Sequence, residues 1–161
     1  MDSKKVGIFS DTHGHREGIE RLMPLFSEND YVIHLGDGAG DMREVVNAFP
    51  EKVFVCQGNC DFVPALSEGE LEVEGVKIFF CHGHRYRVKS ELSSLAEEAR
   101  RRGCRVALYG HTHRADISEE GGVLLVNPGS LRRPAGEGGG YCYLTVEGEK
   151  VYPVLVGESV Y

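Results

Sequence analysis

The chain has 161 residues, enough for one domain with a sizeable core, so a single domain over residues 1–161 is expected. Apolar residues make up 41% and charged residues 27%, an ordinary balance for a globular protein. Eighteen basic against 25 acidic residues leave a net charge of −7, which argues against a broad nucleic-acid surface.

No apolar run approaches the roughly 18 residues that read as a transmembrane helix, so no membrane partner is expected. The stretch Met1 to Lys5 lacks the apolar region of a signal peptide, and the expected location is the cytoplasm. Five cysteines are an odd number without Cys-x-x-Cys spacing. Cys56, Cys81 and Cys104 lie in or beside strand-like runs and read as small core residues in a reducing compartment.

Val6-Gly7-Ile8-Phe9 reads as a strand that feeds the loop Ser10-Asp11-Thr12-His13-Gly14. Helical spacing follows from Glu17 to Met23, with Pro24 near its end. Tyr31 to Leu35 is a second strand, ending at Gly36-Asp37-Gly38. Asp41 is a plausible N-cap for a helix carrying Val45, Val46 and Phe49. Lys52 to Cys56 is a third strand, ending at Gly58-Asn59-Cys60-Asp61. Strands alternating with helices predict βαβ units and a parallel sheet.

The second half reads differently. Leu71-Glu72-Val73 and Val76 to Cys81 flank Glu74-Gly75 as a hairpin, and the second strand ends at His82-Gly83-His84. Ser90 opens a helix through Arg102, with Gly103 as its stop. Arg105 to Tyr109 is a strand leading into Gly110-His111-Thr112-His113. Val123 to Val126, Tyr141 to Val146 and Val151 to Val156 are three more strands. Gly136 to Gly140 reads as a mobile loop rather than a phosphate-binding one, since no helix follows it. The fold class is therefore α/β (α+β), with late antiparallel strands completing two packed sheets and helices outside.

The strand ends carry Asp11 and His13, Asp37, Asn59, His82, and His111 with His113. That edge is where ligands bind in open α/β sheets. His111 and His113 are two apart, so on extended backbone their rings leave on the same side. Two carboxylates, one amide oxygen and four imidazoles suit Mn, Fe, Co, Zn or Ni rather than Ca or a thiolate metal. Seven ligands are too many for one tetrahedral ion and fit two ions sharing a carboxylate. A structural zinc site would need cysteine-dominated ligands, and no cysteine spacing supplies them.

The blocks Asp11-Thr12-His13, Gly36-Asp37, Gly58-Asn59-Cys60-Asp61, His82-Gly83-His84 and Gly110-His111-Thr112-His113 resemble those of the calcineurin-like metallophosphoesterases. Their order, the short chain and the further block Asn127-Pro128-Gly129-Ser130 resemble most the small bacterial and archaeal phosphodiesterase branch. The resemblance implies a sandwich of two mixed sheets flanked by helices. It also implies Asp11, His13, Asp37 and His113 on one metal, and Asp37, Asn59, His82 and His111 on the other, with Asp37 bridging. The implied cofactor is two divalent transition-metal ions per chain, manganese favoured over iron, cobalt, nickel or zinc. The implied reaction is hydrolysis of a small phosphate ester, a phosphodiester first, by a hydroxide bridging the two ions. The alternatives are a phosphomonoesterase on nucleotides or sugar phosphates and a non-catalytic scaffold, as in a retromer subunit that kept this fold while losing ligand identities. Retention of Asp37 and Asn59 argues for catalysis, with Asp37, Asn59, His84 and Cys60 as catalytic candidates.

One position departs from the wider superfamily. Many members carry Gly-Asn-His, where the histidine is thought to protonate the leaving oxygen; here the residue is Cys60. A thiol with an ordinary pKa near 8.5 does not simply replace an imidazolium. His34, inside a strand, reads as core or as support for the site. Arg16, Arg114 and Arg132 are candidates for touching a phosphate. Exposed sheet edges make a homodimer or higher homo-oligomer a reasonable expectation.

Overall fold

A computed structural model describes residues 3–131 and 140–157. Its strands are β1 (Ser3–Phe9), β2 (Tyr31–His34), β3 (Val53–Val55), β4 (Glu68–Val73), β5 (Val76–Cys81), β6 (Val106–Leu108), β7 (Asp116–Glu120), β8 (Val123–Asn127), β9 (Gly140–Glu147) and β10 (Lys150–Gly157). Its α-helices are α1 (Arg16–Arg21), α2 (Met23–Glu28), α3 (Arg43–Ala48) and α4 (Ser93–Arg101). The strands form two five-stranded sheets, in the orders β10-β9-β1-β2-β3 and β4-β5-β6-β8-β7. Pairing is parallel for β1–β2, β2–β3, β5–β6 and β6–β8, and antiparallel for the outer strands, so both sheets are mixed.

Strand periodicity explains the layers. Val6 and Ile8 of β1, Ile78 and Phe80 of β5, and Val106 and Leu108 of β6 point into one buried layer between the sheets. Their neighbours in sequence point outward into two further layers. Phe9 and Val32 meet Ile19, Phe26 and Val45 from α1, α2 and α3, and Leu22 from the junction of α1 and α2. Phe79, Ala107 and Leu125 meet Leu95, Ala96 and Ala99 from α4. A strand buried on both faces reads as an unbroken apolar run, which is why β1, β2, β5 and β6 stand out in the sequence. The Glu74-Gly75 turn has positive φ at both residues, 49° and 82°, the geometry of a type I′ hairpin. Cys56, Cys81, Cys104 and Cys142 are free and buried, as small core residues; Cys60 is exposed. Among the described residues no helix is long and apolar enough to cross a membrane.

Three local expectations need correction, and one strand was missed. Pro24 does not close the first helix; it sits in the first turn of α2, where its missing N–H costs nothing. Asp41 is not the N-cap of α3, whose cap residue is Met42; the Asp41 carboxylate turns to the β1–α1 loop instead. α4 begins at Ser93 rather than Ser90, with the Glu91 carboxylate receiving the Ser94 N–H and the hydroxyls of Ser93 and Ser94. β7 was not foreseen, because Asp-Ile-Ser-Glu-Glu is a mostly exposed edge strand with no apolar alternation. Gly140 opens β9, whereas residues 136–139 of the expected mobile loop, and Arg132, lie outside the described residues.

Candidate metal centre

The parallel registers align strand ends: Phe9 lies opposite His34, and His34 opposite Val55. The loops that follow are tied to one another. The Asp11 N–H donates to Gly36 O at 2.9 Å, and the His13 N–H to Asp37 O at 3.0 Å. The Gly110 N–H donates to His82 O at 2.8 Å. Glycine is needed where these loops touch: a Cβ on Gly58 would fall on the Asp37 carboxylate, and one on Gly110 on the Ser10 hydroxyl.

Two groups of ligand atoms result, Asp11, His13, Asp37 and His113 in one, and Asp37, His82 and His111 in the other. Within each group the ligand atoms lie within 4.8 Å of one another. Both carboxylates divide their oxygens in the same way. Asp11 Oδ2 receives the Ser10 hydroxyl and the His111 N–H, whereas Oδ1 is buried and makes no hydrogen bond. That orphaned oxygen faces ring nitrogens of His113 at 3.1 Å, His13 at 3.8 Å and His82 at 4.0 Å. Asp37 Oδ1 receives the Cys60 N–H at 2.8 Å, and Oδ2 faces His82 Nε2 at 3.3 Å and His13 Nε2 at 3.9 Å. One oxygen of each carboxylate is thus fixed to the scaffold and the other is presented to the imidazoles.

The imidazoles are prepared in the same sense. His82 Nδ1–H donates to Leu35 O at 2.8 Å, which turns the Nε2 lone pair inward, 3.2 Å from His111 Nδ1. His13 Nε2 and His113 Nε2 are 3.3 Å apart. Neighbouring ligands on one ion with bonds of about 2.1 Å lie roughly 3.0–3.4 Å apart, so these separations fit the edges of a coordination shell. The residues present fit a pair of divalent ions.

Charge agrees with that fit. Burial raises the Asp11 carboxyl, but the His113 and His13 imidazoles outweigh it and hold it well below the usual range. Burial likewise opposes ionisation of Asp37, and the facing His82 with the Cys60 N–H overcomes it. Burial pushes His111 down to about 4, with His82 and Lys89 adding to the effect, so its ring is neutral at pH 7. Asp11, Asp37 and His111 are thus held in their metal-binding forms, whereas burial of His82 is outweighed by the facing Asp37 and Asp11 carboxylates, which raise it, so that ring gives up its extra proton when an ion binds.

Five of these side chains stand on left-handed backbone: Asp11 (φ 51°), His13 (42°), Asp37 (58°), His111 (71°) and His113 (64°). This corrects the expectation of an extended His111-Thr112-His113. The two rings do not leave on one side, and they enter different groups.

The remaining expected residues are placed as follows. Asn59 is exposed, its amide nitrogen 3.7 Å from Cys60 Sγ. Half-buried His84 has its ring centre 5.4 Å from that of His82 and 6.1 Å from that of His111, and its buried Nδ1 makes no hydrogen bond. Cys60 lines a cleft of about 290 Å³ together with His13, Asp37, Asp61, Phe62 and Val63. Arg16 lines a separate groove of about 360 Å³ between α1 and α3, and Arg114 another groove beside Lys89; neither lines the cleft. His34 is fully buried, and burial lowers it to about 4. Its Nδ1 accepts the Gly36 N–H at 3.0 Å, leaving the ring proton on Nε2, 3.1 Å from Thr12 Oγ1. The Thr12 hydroxyl donates in turn to Asp41 Oδ2 at 2.7 Å, which also receives the Gly14 N–H at 2.8 Å.

Sequence reasoning missed the clamp made by Asp61. Its Oδ1 receives the N–H groups of Gly38 (2.8 Å) and Ala39 (3.1 Å), and its Oδ2 those of Asp37 and Gly58 (both 2.8 Å). The available signal was its place three residues after Gly58, where an aspartate folds back onto backbone N–H groups. Ser130 was quoted only as part of a block; its hydroxyl donates to Asp11 O at 2.7 Å.

The family model of the calcineurin-like phosphoesterase superfamily domain matches residues 5–149. A probable metallophosphoesterase, YsnB of Bacillus subtilis, is 34% identical over 131 residues, covering 80% of this chain and 76% of that protein. Phosphodiesterase MJ0936 of Methanocaldococcus jannaschii is 30% identical over 145 residues, covering 78% of this chain and 82% of that protein. The crystal structure of a predicted phosphoesterase from Streptococcus pneumoniae superposes with a TM-score of 0.83 at 24% identity, over 99% of this chain and 92% of that one, which shows the shared fold. The αββα sandwich, the matched span and the two relatives agree, and this chain belongs to the calcineurin-like phosphoesterase superfamily, a family of hydrolases.

Proposed function

We propose that this chain is a phosphodiesterase that works as one domain with two divalent transition-metal ions, manganese favoured over iron, cobalt, nickel or zinc. The observation that carries the reading is Asp37, with one oxygen pinned by the Cys60 N–H and the other facing ring nitrogens that belong to both groups. Asp11, His13, Asp37 and His113 would hold one ion. Asp37, His82 and His111 would hold the other, with Asn59 completing the set from the loop after β3. Two such ions supply a hydroxide nucleophile at neutral pH and neutralise the phosphoryl oxygens.

The chain's own residues position and protect. The Leu35 carbonyl fixes the His82 ring, and the Ser10 hydroxyl and His111 N–H fix Asp11. His84 stands beside the second group without belonging to it; burial, with the neighbouring His82 and Arg85, lowers its imidazole, so its neutral ring is placed to hydrogen-bond a bound substrate rather than to carry a proton to the leaving oxygen. Burial and the neighbouring Asp37 push the Cys60 thiol up, so it stays protonated at neutral pH and is a poor proton donor. Its backbone N–H, not its sulfur, serves the site. None of the described residues lining the cleft is lysine or arginine, which suits the single charge of a diester better than the dianion of a monoester. The phosphodiesterase relative MJ0936 supports the same choice.

The test is turnover of bis(p-nitrophenyl) phosphate and p-nitrophenyl phosphate by protein stripped of metal and reloaded with each ion. The expected result is about two ions per chain by elemental analysis and a higher kcat/KM for the diester, with manganese the best activator. Full activity in the presence of chelator, or a preference for the monoester, would overturn the reading.

A further inference from the structure

Phe62 is 99% exposed, and Val63 beside it is 41% exposed. Every other phenylalanine of the described chain is buried or half-buried, and water is an unfavourable surrounding for a benzyl group that no function keeps there. The segment is not a loose tip. It follows Asp61 directly, and the Asp61 carboxylate holds the N–H groups of Asp37, Gly38, Ala39 and Gly58. Phe62 is therefore presented on an anchored loop, at the rim of the same cleft that His13 and Asp37 line. Across that cleft lies Gly40, with only Val63 Cγ1, at 3.9 Å, near the place a Cβ would take. The space between offers an apolar wall, glycines and carboxylates already engaged by backbone N–H groups. Among the described residues none of those lining it is lysine or arginine, and the nearby Arg16 is engaged with the Asp41 carboxylate at 3.7 Å.

We propose that Phe62, backed by Val63, is the specificity element of this site, a ledge on which the planar ring of a phosphodiester's organic substituent packs. The inference rests on the phosphodiesterase reading and adds to it the class of substrate: a singly charged diester bearing a ring, either an aryl group or a nucleobase. A ring on a phenylalanine face gains contact area and stacking without any hydrogen-bond partner, which matches a wall with none to offer. The binding is shared by ground and transition states, so the effect falls on KM more than on kcat.

The experiment compares three monoanions as competitive inhibitors of bis(p-nitrophenyl) phosphate turnover by the manganese-loaded protein: dimethyl phosphate, diphenyl phosphate and the methyl ester of thymidine 5′-phosphate. In the wild type the ring-bearing esters bind tighter than dimethyl phosphate. Phe62→Ala shrinks that preference by about 5- to 150-fold, the span that loss of one stacked ring produces. Phe62→Tyr keeps it. A larger gain for the thymidine ester identifies a nucleobase, and a larger gain for the phenyl ester identifies an aryl group. The chain contains no tryptophan, so Phe62→Trp also places a single indole on the ledge. Its emission should change with diphenyl phosphate and not with dimethyl phosphate, a readout independent of turnover. An unchanged ring preference in Phe62→Ala, with diester turnover intact, overturns the ledge and leaves the reaction standing. Absent diester turnover with the indole signal present overturns the reaction and leaves the ledge standing.

Discussion

Replacing Asp61 with asparagine should lower both the stability of the metal-free protein and its affinity for metal. The four N–H groups that Asp61 receives are divided two to each oxygen: Gly38 and Ala39 on Oδ1, Asp37 and Gly58 on Oδ2. An asparagine amide has one acceptor oxygen, so in either orientation two N–H donors are left facing an NH₂ group. A hydrogen bond to a charged group contributes about 1.5–3 kcal/mol, and Asp61 is only part-buried, so losing two at the low end removes about 3 kcal/mol. For a chain of this size that is a fall in Tm of roughly 6–12 °C. Asp37 and Gly58 are two of the four donors, and Asp37 carries the shared carboxylate, so its displacement should weaken metal binding by about 10–100-fold, as loss of an outer ligand-orienting contact does. Thermal unfolding in chelator measures the first effect, and competitive metal titration measures the second. A variant that melts within about 1 °C of the wild type and binds metal equally well would refute the clamp.

The split of the His-Thr-His pair predicts that His111→Ala and His113→Ala each lose mainly one ion, and not the same one. Elemental analysis and anomalous-scattering maps check this, and loss of the same ion in both would refute the split. His34 predicts a pH dependence. Burial lowers its imidazole to about 4 from an ordinary 6.5, so the unfolded chain takes up a proton that the folded chain refuses. His34 should contribute about 3 kcal/mol to a fall in the stability of the metal-free protein between pH 6.5 and 4, a window it shares with His111. His34→Gln should remove the His34 share of that slope in pH-dependent denaturant unfolding and leave the His111 share; an unchanged slope would refute the assignment. Cys60→His should speed diesters with poor leaving groups more than good ones, by up to about 10²-fold if the new ring reaches the leaving oxygen. Parallel rate plots against leaving-group pKa for the two proteins would show that position 60 does not govern protonation.

The sandwich was legible because strands buried on both faces leave apolar runs, and each run here ends in a polar block. The convergence of Asp11, His13, Asp37, His82, His111 and His113 was legible for the same reason, since parallel strands deliver their ends to one edge. What was not legible depends on partners distant in sequence. Asp41 looked like a helix cap because caps are local, yet its carboxylate serves Thr12 and Gly14, more than 25 residues away. Asp61 had no assigned role because its donors span two loops. β7 carries no apolar period because an edge strand with mostly exposed side chains needs none.

The left-handed backbone under the candidate ligands ties these layers together. Non-glycine residues with positive φ cost of order 1 kcal/mol or more each, and five of them cost about as much as the whole net stability of a small domain. Such a conformation persists only where the surroundings over-determine it. Here the Asp11 and His13 N–H groups are taken by Gly36 and Asp37 carbonyls, the His111 N–H by Asp11 Oδ2, and the Asp37 N–H by Asp61. Every one of those bonds joins one ligand loop to another, so no loop can relax alone. The same bonds consume the oxygens and N–H groups that do not face the imidazoles, and leave Asp11 Oδ1 and Asp37 Oδ2 presented together. Local strain and the aim of the carboxylates therefore have one cause. A substitution that relieves the strain, such as His113→Gly, should stabilise the metal-free fold only if it leaves those inter-loop bonds intact.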